Sequence, residues 1–421
     1  MIDLRGFPGC SGPGFPLLTD GDAVSFFKNV EQVPGDPILG LTDAFRADAR
    51  ATKVNLGVGI YYDEEGRIPV MGAVQQVERA LAERSPARGY LPIDGMPDYR
   101  TATRELLFGA DSPVISEGRA STSQTIGGSG ALRVGAELLR HALPFARIAI
   151  SSPSWENHRA VFTAVGFEVV EYAYFDAATR GVDFDGMLAD LRRLEPGTVV
   201  LLHACCHNPT GADLTPAQWD QVVALLHERG LFPFIDMAYQ GFDRGIEEDA
   251  HAVRLLAASP IRNFVVASSY SKSFSLYGER VGALTVVADS ADEARRVQSQ
   301  IKRLVRANYS SPSTHGAALV AGVLNDPALR AQWEEELGQM RTRIHALRAG
   351  LVERLAAHGA PQYDFIQRQA GMFSYSGLSR AQVDRLRDEY GIYAVGTGRI
   401  CVAALSARNL DYVASAVAAV S

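Results

Sequence analysis

Cysteine is scarce. Cys10, Cys205, Cys206 and Cys401 are the only four in 421 residues. Two of them are chain neighbours, and no spacing fits a disulfide framework or a zinc site. That usage fits a reducing compartment. Long apolar runs are missing as well: stretches such as 317–324 fall far short of the ~20 residues a membrane helix needs. The N-terminus has no basic stretch leading into an apolar core, so no secretory signal is expected. Positive charge is not in excess either. Lys and Arg number 41 against 48 Asp and Glu, a formal net charge of −7, which argues against a nucleic-acid footprint. Charged residues are only 21% and apolar residues 47%, so disorder is excluded as the main state. The expectation is a cytoplasmic protein with a small-molecule task and no nucleic-acid or membrane partner. Its length exceeds what one hydrophobic core usually supports, which favours two domains.

Gly6, Pro8, Gly9, Gly12, Pro13, Gly14 and Pro16 crowd the first 23 residues. Such a stretch breaks regular structure and reads as a flexible extension, ending near residue 30. Beyond it, strands and helices alternate. Residues 198–204 (TVVLLHA) form a short β-rich apolar run. Thr215-Pro216-Ala217-Gln218 then opens a helix as a capping box, and Gly230 closes it. Residues 231–236 (LFPFID) read as the next strand, with Pro233 awkward in its middle. Further strands are expected at 147–151, 168–172, 264–268 and 281–288, with a helix beginning near Ala131. This pattern means βαβ units and a largely parallel sheet, an α/β fold. From Asp326 to His358 the period changes. Leu329, Trp333, Leu337, Met340, Ile344, Leu347, Leu351 and Leu355 make one face of a helix of about 30 residues, capped by Asp326. Short strands follow at 372–375 and 399–403, in a smaller α+β domain.

Three polar residues follow expected parallel strands: Asn208, Asp236 and Lys272. Ligands of open α/β sheets bind at the carboxyl ends of the strands, so an amide, a carboxylate and an amine should share one rim. Each alone reads equally well as a turn residue, a cap or a surface lysine; the shared placement is the signal. Gly127-Gly128-Ser129-Gly130 precedes a helix, and glycines at a helix N-terminus can cradle phosphate. This is neither GxGxxG nor a P-loop. Ser269 and Arg280 flank Lys272 as a second anion-binding pair. Ser269-x-x-Lys272 also has the form of the SxxK motif of penicillin-binding serine hydrolases, but the SDN and KTG elements are missing.

The stretch Ser269-Tyr270-Ser271-Lys272-Ser273-Phe274-Ser275-Leu276-Tyr277-Gly278-Glu279-Arg280-Val281-Gly282 resembles the lysine loop of class I pyridoxal-phosphate aminotransferases. Asn208-Pro209-Thr210-Gly211, Asp236-Met237-Ala238-Tyr239-Gln240-Gly241, Arg306-Ala307-Asn308-Tyr309-Ser310 and Tyr90-Leu91-Pro92-Ile93-Asp94-Gly95 resemble the aspartate and aromatic branch of that family. The likeness runs from about Phe26 onward. It implies the type I fold of pyridoxal-phosphate transferases and a pyridoxal 5'-phosphate cofactor. By the same resemblance, Lys272 binds the cofactor aldehyde and moves the substrate proton. Asp236, backed by His158, pairs with the pyridine nitrogen. Tyr239 and Asn208 bind the ring 3-oxygen, and Trp155 stacks on the ring. Gly128, Ser129, Ser269 and Arg280 hold the phosphate, joined by Tyr90 from a partner subunit. Arg399 clamps the substrate α-carboxylate beside Gly59, Trp155 and Asn208. Arg306 from the partner binds a side-chain carboxylate. No metal is implied.

Tyr62, Ile68, Ser129 and Ser311 match residues typical of the aromatic-accepting members; Ile60 is neutral and Gly89 fits neither pattern. The stretch 371–378 also resembles that branch. The expected activity is transfer of the amino group of tyrosine or phenylalanine, and also of aspartate, to 2-oxoglutarate. The alternative is an aspartate-preferring enzyme of the same family. The resemblance further implies a homodimer with shared active sites and a discontinuous small domain. Residues 31–68 and 338–421 would make that domain, around a large domain at 69–337.

Overall fold

The computed structural model describes residues 26–33, 35 and 39–421; the expected extension over 1–23 lies outside them. Residues 39–421 belong to one compact unit. At its centre is a sheet of seven strands. In chain order these are β1 (Ala120–Ile126), β2 (Ile148–Ser152), β3 (Val169–Ala173), β4 (Val199–His203), β5 (Phe232–Met237), β6 (Phe264–Ser269) and β7 (Val281–Val287). Their order across the sheet is β1-β7-β6-β5-β4-β2-β3. Only β7 runs against its neighbours.

The central strands are buried along their length, as expected of a parallel sheet covered by helices on both faces. Two apolar clusters lie against the sheet. One gathers Leu202, Trp219, Leu226, Ile235 and Val266; the other gathers Leu132, Phe162, Phe234, Leu284 and Ile301. Pro233 is tolerated in β5 because the ladder to β6 starts only at Phe234, so the missing N–H falls at the strand's beginning.

The capping box at Thr215 and Gln218 is formed, and Gly230 ends that helix in the left-handed region at φ 61°. The long helix runs over Pro327–Ala357, 31 residues or roughly 46 Å. Asp326 accepts from Ala328 N at 2.9 Å and Leu329 N at 3.1 Å. Trp333, Leu337, Met340, Ile344, Leu347, Leu351 and Leu355 are all buried on one side, in a third cluster shared with Leu405, Val413 and Val417. Two small sheets complete this region. Val54–Asn55 pairs in parallel with Ile392–Tyr393, and Phe373–Tyr375 pairs antiparallel with Arg399–Cys401.

The helix expected near Ala131 starts at Gly127 instead and runs to Ala142. The glycines expected to precede it are its first turn. The strand expected over 399–403 stops at Cys401, where a 3₁₀ turn over Val402–Ala404 takes over.

Candidate active site

The carboxyl ends of the parallel strands converge on one rim. From β1 the chain passes directly into the helix at Gly127. Trp155 follows β2, Asn208 follows β4, Asp236 lies within β5, and Lys272 follows β6. Because β7 is antiparallel, its first residue comes to the same rim and brings Arg280 with it: Gly127 N donates to Arg280 O at 2.9 Å. These residues line a cavity of about 370 Å³ together with Gly59, Ser129, Tyr239, Ser269 and Arg399.

Close approach explains the glycines at this corner. Gly127 sits at φ +66°, and a Cβ there would lie 2.4 Å from Arg280 Nη2. A Cβ on Gly128 would lie 3.0 Å from that of Ser269. Without side chains the helix N-terminus meets Arg280 and Ser269 across a gap lined by backbone N–H groups, the chemistry of a phosphate cradle. Arg280 is itself held in the left-handed region at φ 54°, and its Nη1 donates to Ser271 Oγ at 3.2 Å and Tyr277 O at 3.0 Å.

Asp236 is buried and its Oδ2 lies 2.9 Å from His158 Nε2. An ionised carboxylate only accepts, so the imidazole N–H donates; Ser154 Oγ lies 2.9 Å from Nδ1 and orients the ring. Burial alone would raise the Asp236 pKa, but the His158 hydrogen bond and the charges around it outweigh that and hold it below its ordinary value. His203, opposite Asp236 in the β4–β5 register, is driven down to about 3 by burial and by His158. It is a neutral wall. His158, His203 and Asp236 carry ligand-type atoms all within 4.8 Å of one another. The His158–Asp236 hydrogen bond accounts for part of this proximity.

Lys272 opens on the cavity with Nζ 4.9 Å from the centre of the Tyr239 ring. Burial, helped by Arg280 and Arg399 and opposed by Asp236, pulls its amine down to about 8. A lysine with this pKa is a competent nucleophile near neutral pH. In the cofactor-free chain its reaction with aldehydes should accelerate as pH rises through about 8 and then level off. The linked stability effect has a definite sign. The unfolded chain binds more protons between pH 8 and the ordinary 10.5, so this group's contribution to stability rises with pH across that window. Rebinding rates of the aldehyde cofactor measured from pH 6 to 10 check the first point. A flat profile contradicts it.

Arg399 is 2% exposed. It donates from Nη1 to Asn208 Oδ1 at 3.1 Å and from Nη2 to Gly57 O at 2.7 Å, and its guanidinium lies 4.4 Å above the Phe373 ring. Its Nε is buried without a partner. A fixed, incompletely satisfied guanidinium facing a cavity has the chemistry to bind a carboxylate.

Gly59, Gly128, Ser129, Trp155, Asn208, Asp236, Tyr239, Ser269, Lys272, Arg280 and Arg399 thus come together around one cavity. Tyr90 and Arg306 do not: both side chains are exposed, Tyr90 at 97%, and Arg306 bonds Ser310 Oγ on its own helix end. Among the residues suggesting aromatic substrates, Ser129 lines the cavity, Tyr62 and Ser311 are half-buried, and Ile68 is exposed. Sequence reasoning missed His203, Tyr277 and Phe373 as wall residues. His203 was findable, since it ends a predicted strand beside the one carrying Asp236. Phe373 was not, because its strand pairing with Arg399–Cys401 sets its place.

Residues 51–417 match the family described as aminotransferase class I and II. The chain is 57% identical over 395 residues to the aspartate aminotransferase of Pseudomonas aeruginosa, covering 94% of this chain and 99% of that one. It is 51% identical to the aromatic-amino-acid aminotransferase of Escherichia coli, covering 94% and 100%. Among solved structures, the aromatic-amino-acid aminotransferase of Burkholderia pseudomallei, covalently bound to pyridoxal phosphate, superposes with a TM-score of 0.92. It is 62% identical, covering 94% of this chain and 100% of that one.

Proposed function

The chain belongs to the class I and II aminotransferase family, and from that premise we propose that it transfers the amino group of tyrosine or phenylalanine, and also of aspartate, to 2-oxoglutarate. It is a pyridoxal-phosphate-dependent transaminase. The residues present fit the cofactor. A buried carboxylate, a lysine near neutrality, and an anion cradle that a Cβ on Gly127 or Gly128 would fill all face one cavity.

When bound, pyridoxal phosphate supplies an aldehyde carbon that captures amines and a conjugated ring that accepts the electron pair left at the substrate Cα. We assign the remaining work to the chain. Gly128, Ser129, Ser269 and Arg280 hold the phosphate, with Tyr90 of a second subunit. Asp236, kept ionised by His158, holds a proton on the pyridine nitrogen, and Trp155 covers one ring face. Tyr239 and Asn208 donate to the 3-oxygen; burial pushes the Tyr239 hydroxyl up, so it stays a donor. Arg399 fixes the α-carboxylate beside Gly59, Trp155 and Asn208. Lys272 would serve as the base that moves the proton from the substrate Cα.

The observation that carries the aromatic assignment is the apolar part of the cavity lining. Val58, Ile60, Leu132, Tyr277 and Phe373 form it, and burying a ring there gains roughly 25 cal/mol per Å². Within this chain the cation for a side-chain carboxylate, Arg306, stands exposed outside the cavity. A homodimer would bring the neighbour's Arg306 and Tyr90 to the site. The reading includes a cytoplasmic setting, supported by Cys205, Cys206 and Cys401 being free thiols. No helix among the described residues is long and apolar enough to cross a membrane. A smaller lobe from 31–68 with 338–421, around 69–337, is supported by the pairing of Val54–Asn55 with Ile392–Tyr393.

Arg306→Leu tests both the dual use and the subunit sharing. It should lower kcat/KM for aspartate by about 100-fold, as loss of a charge partner does, and leave phenylalanine within about threefold. Equal losses for both donors would remove Arg306 from the side-chain site.

A further inference from the structure

Residues 58–60 form one wall of the cavity, and their segment is tied mainly to the C-terminal part of the chain. Leu56 N donates to Tyr393 O at 2.7 Å, Cys401 N to Leu56 O at 2.8 Å, and Tyr62 N to Ala403 O at 3.2 Å. Arg399 Nη2 donates to Gly57 O at 2.7 Å. One bond runs the other way: Tyr61 N donates to the Tyr277 hydroxyl at 3.0 Å. Among the described residues it is the only hydrogen bond joining 56–62 to the lysine loop, 270–280.

Tyr277 is well placed to carry this tie. It lies in the same loop as Lys272, and its ring lines the same cavity. The loop around it is braced at both ends. Its own carbonyl accepts from Arg280 Nη1 at 3.0 Å, and Ser275 N donates to Lys272 O at 3.0 Å. The other partner has no alternative: Tyr61 is 5% exposed, so its N–H would be left buried without an acceptor if the phenol oxygen were gone.

We propose that Tyr277 is a positioning residue whose hydroxyl clasps the 58–60 wall against the lysine loop and thereby sets the carboxylate site. The clasp reaches Arg399 through the backbone, because Gly57 O is one of that guanidinium's two acceptors. The wall also has little slack. A Cβ on Gly59 would lie 2.5 Å from Phe373 Cζ, so a wall that shifts must also shift the ring beneath Arg399. The lysine loop, with its own braces, does not depend on the clasp. Releasing it should therefore weaken carboxylate binding and leave proton transfer at Lys272 largely intact. This inference rests on the aminotransferase reading of the site.

The test compares holoenzyme and Tyr277→Phe, which keeps the ring and removes only the oxygen. Three quantities are read: amide hydrogen exchange at Tyr61, the Kd of succinate as an unreactive dicarboxylate, and kcat and KM for phenylalanine. The variant should speed Tyr61 exchange about tenfold or more. It should raise the succinate Kd and the KM by about 5- to 150-fold, the range for an orphaned buried donor, with kcat within about threefold. The pH midpoint of the cofactor's visible band should not move. An unchanged succinate Kd, or a fall in kcat at constant KM, overturns the proposal. If the variant does not fold, wild-type exchange decides: Tyr61 must be protected, and exchange as fast as at the exposed residues 65–67 rules the clasp out. If the wild type does not transaminate, the functional reading fails, while exchange and succinate binding still judge the clasp.

Discussion

Lys272→Ala is expected to lower kcat by about 10⁴-fold or more, whatever amino acid is offered. Two separate tasks fall on this amine. In the proposed function it would capture the cofactor aldehyde and would move the proton from the substrate Cα; a positioned general base alone contributes about 10²- to 10⁴-fold. No other lysine lines the cavity. The neighbouring cations Arg280 and Arg399 cannot substitute, because a guanidinium does not give up its proton near neutral pH. The fold should survive, since burying the charged amine costs stability rather than adding it below pH 8. The measurements are single-turnover kinetics and the visible spectrum after adding cofactor. A variant within tenfold of wild type would mean that Lys272 is not the base.

Asp236→Asn should cost about 10³-fold in kcat, comparable to losing a preorganised electrostatic stabiliser in a dry site. The amide matches the carboxylate in size and can still meet His158, so packing is preserved. What disappears is the negative charge proposed to hold a proton on the cofactor ring. His158 sits 2.9 Å from Asp236 and is itself fixed by Ser154, so the arrangement is built for a carboxylate that stays ionised while buried. The loss should appear in kcat with a much smaller change in KM. Full activity in Asp236→Asn would show that the charge is not used.

Much of this site is legible in the sequence because parallel strands put chemistry in predictable places. Asn208, Asp236 and Lys272 follow or end apolar runs, and the sheet delivers those ends to one rim. Arg280 is legible as one of the pair flanking Lys272, and the lysine-loop resemblance adds its phosphate role. The antiparallel direction of β7 that brings it to the rim is a tertiary choice. The sequence places the glycines at 127 and 128 just before a helix, whereas they form its first turn. Local propensity disfavours glycine in a helix, and it is overridden here by the need to admit Arg280 and Ser269. The wall residues Phe373 and Tyr277 stayed hidden for a related reason. Their roles come from contacts across the chain, with Arg399 and Tyr61, and no local pattern encodes them. The long helix was legible nearly to the residue, since its stripe, its Asp326 cap and Pro327 all agree.

A transaminase with an apolar-walled pocket should take aromatic donors. Steady-state kcat/KM for phenylalanine, tyrosine and aspartate, each with 2-oxoglutarate as acceptor, tests it most directly. The account predicts turnover of all three, with phenylalanine or tyrosine at least equal to aspartate. Turnover of aspartate with negligible use of both aromatic donors would contradict it.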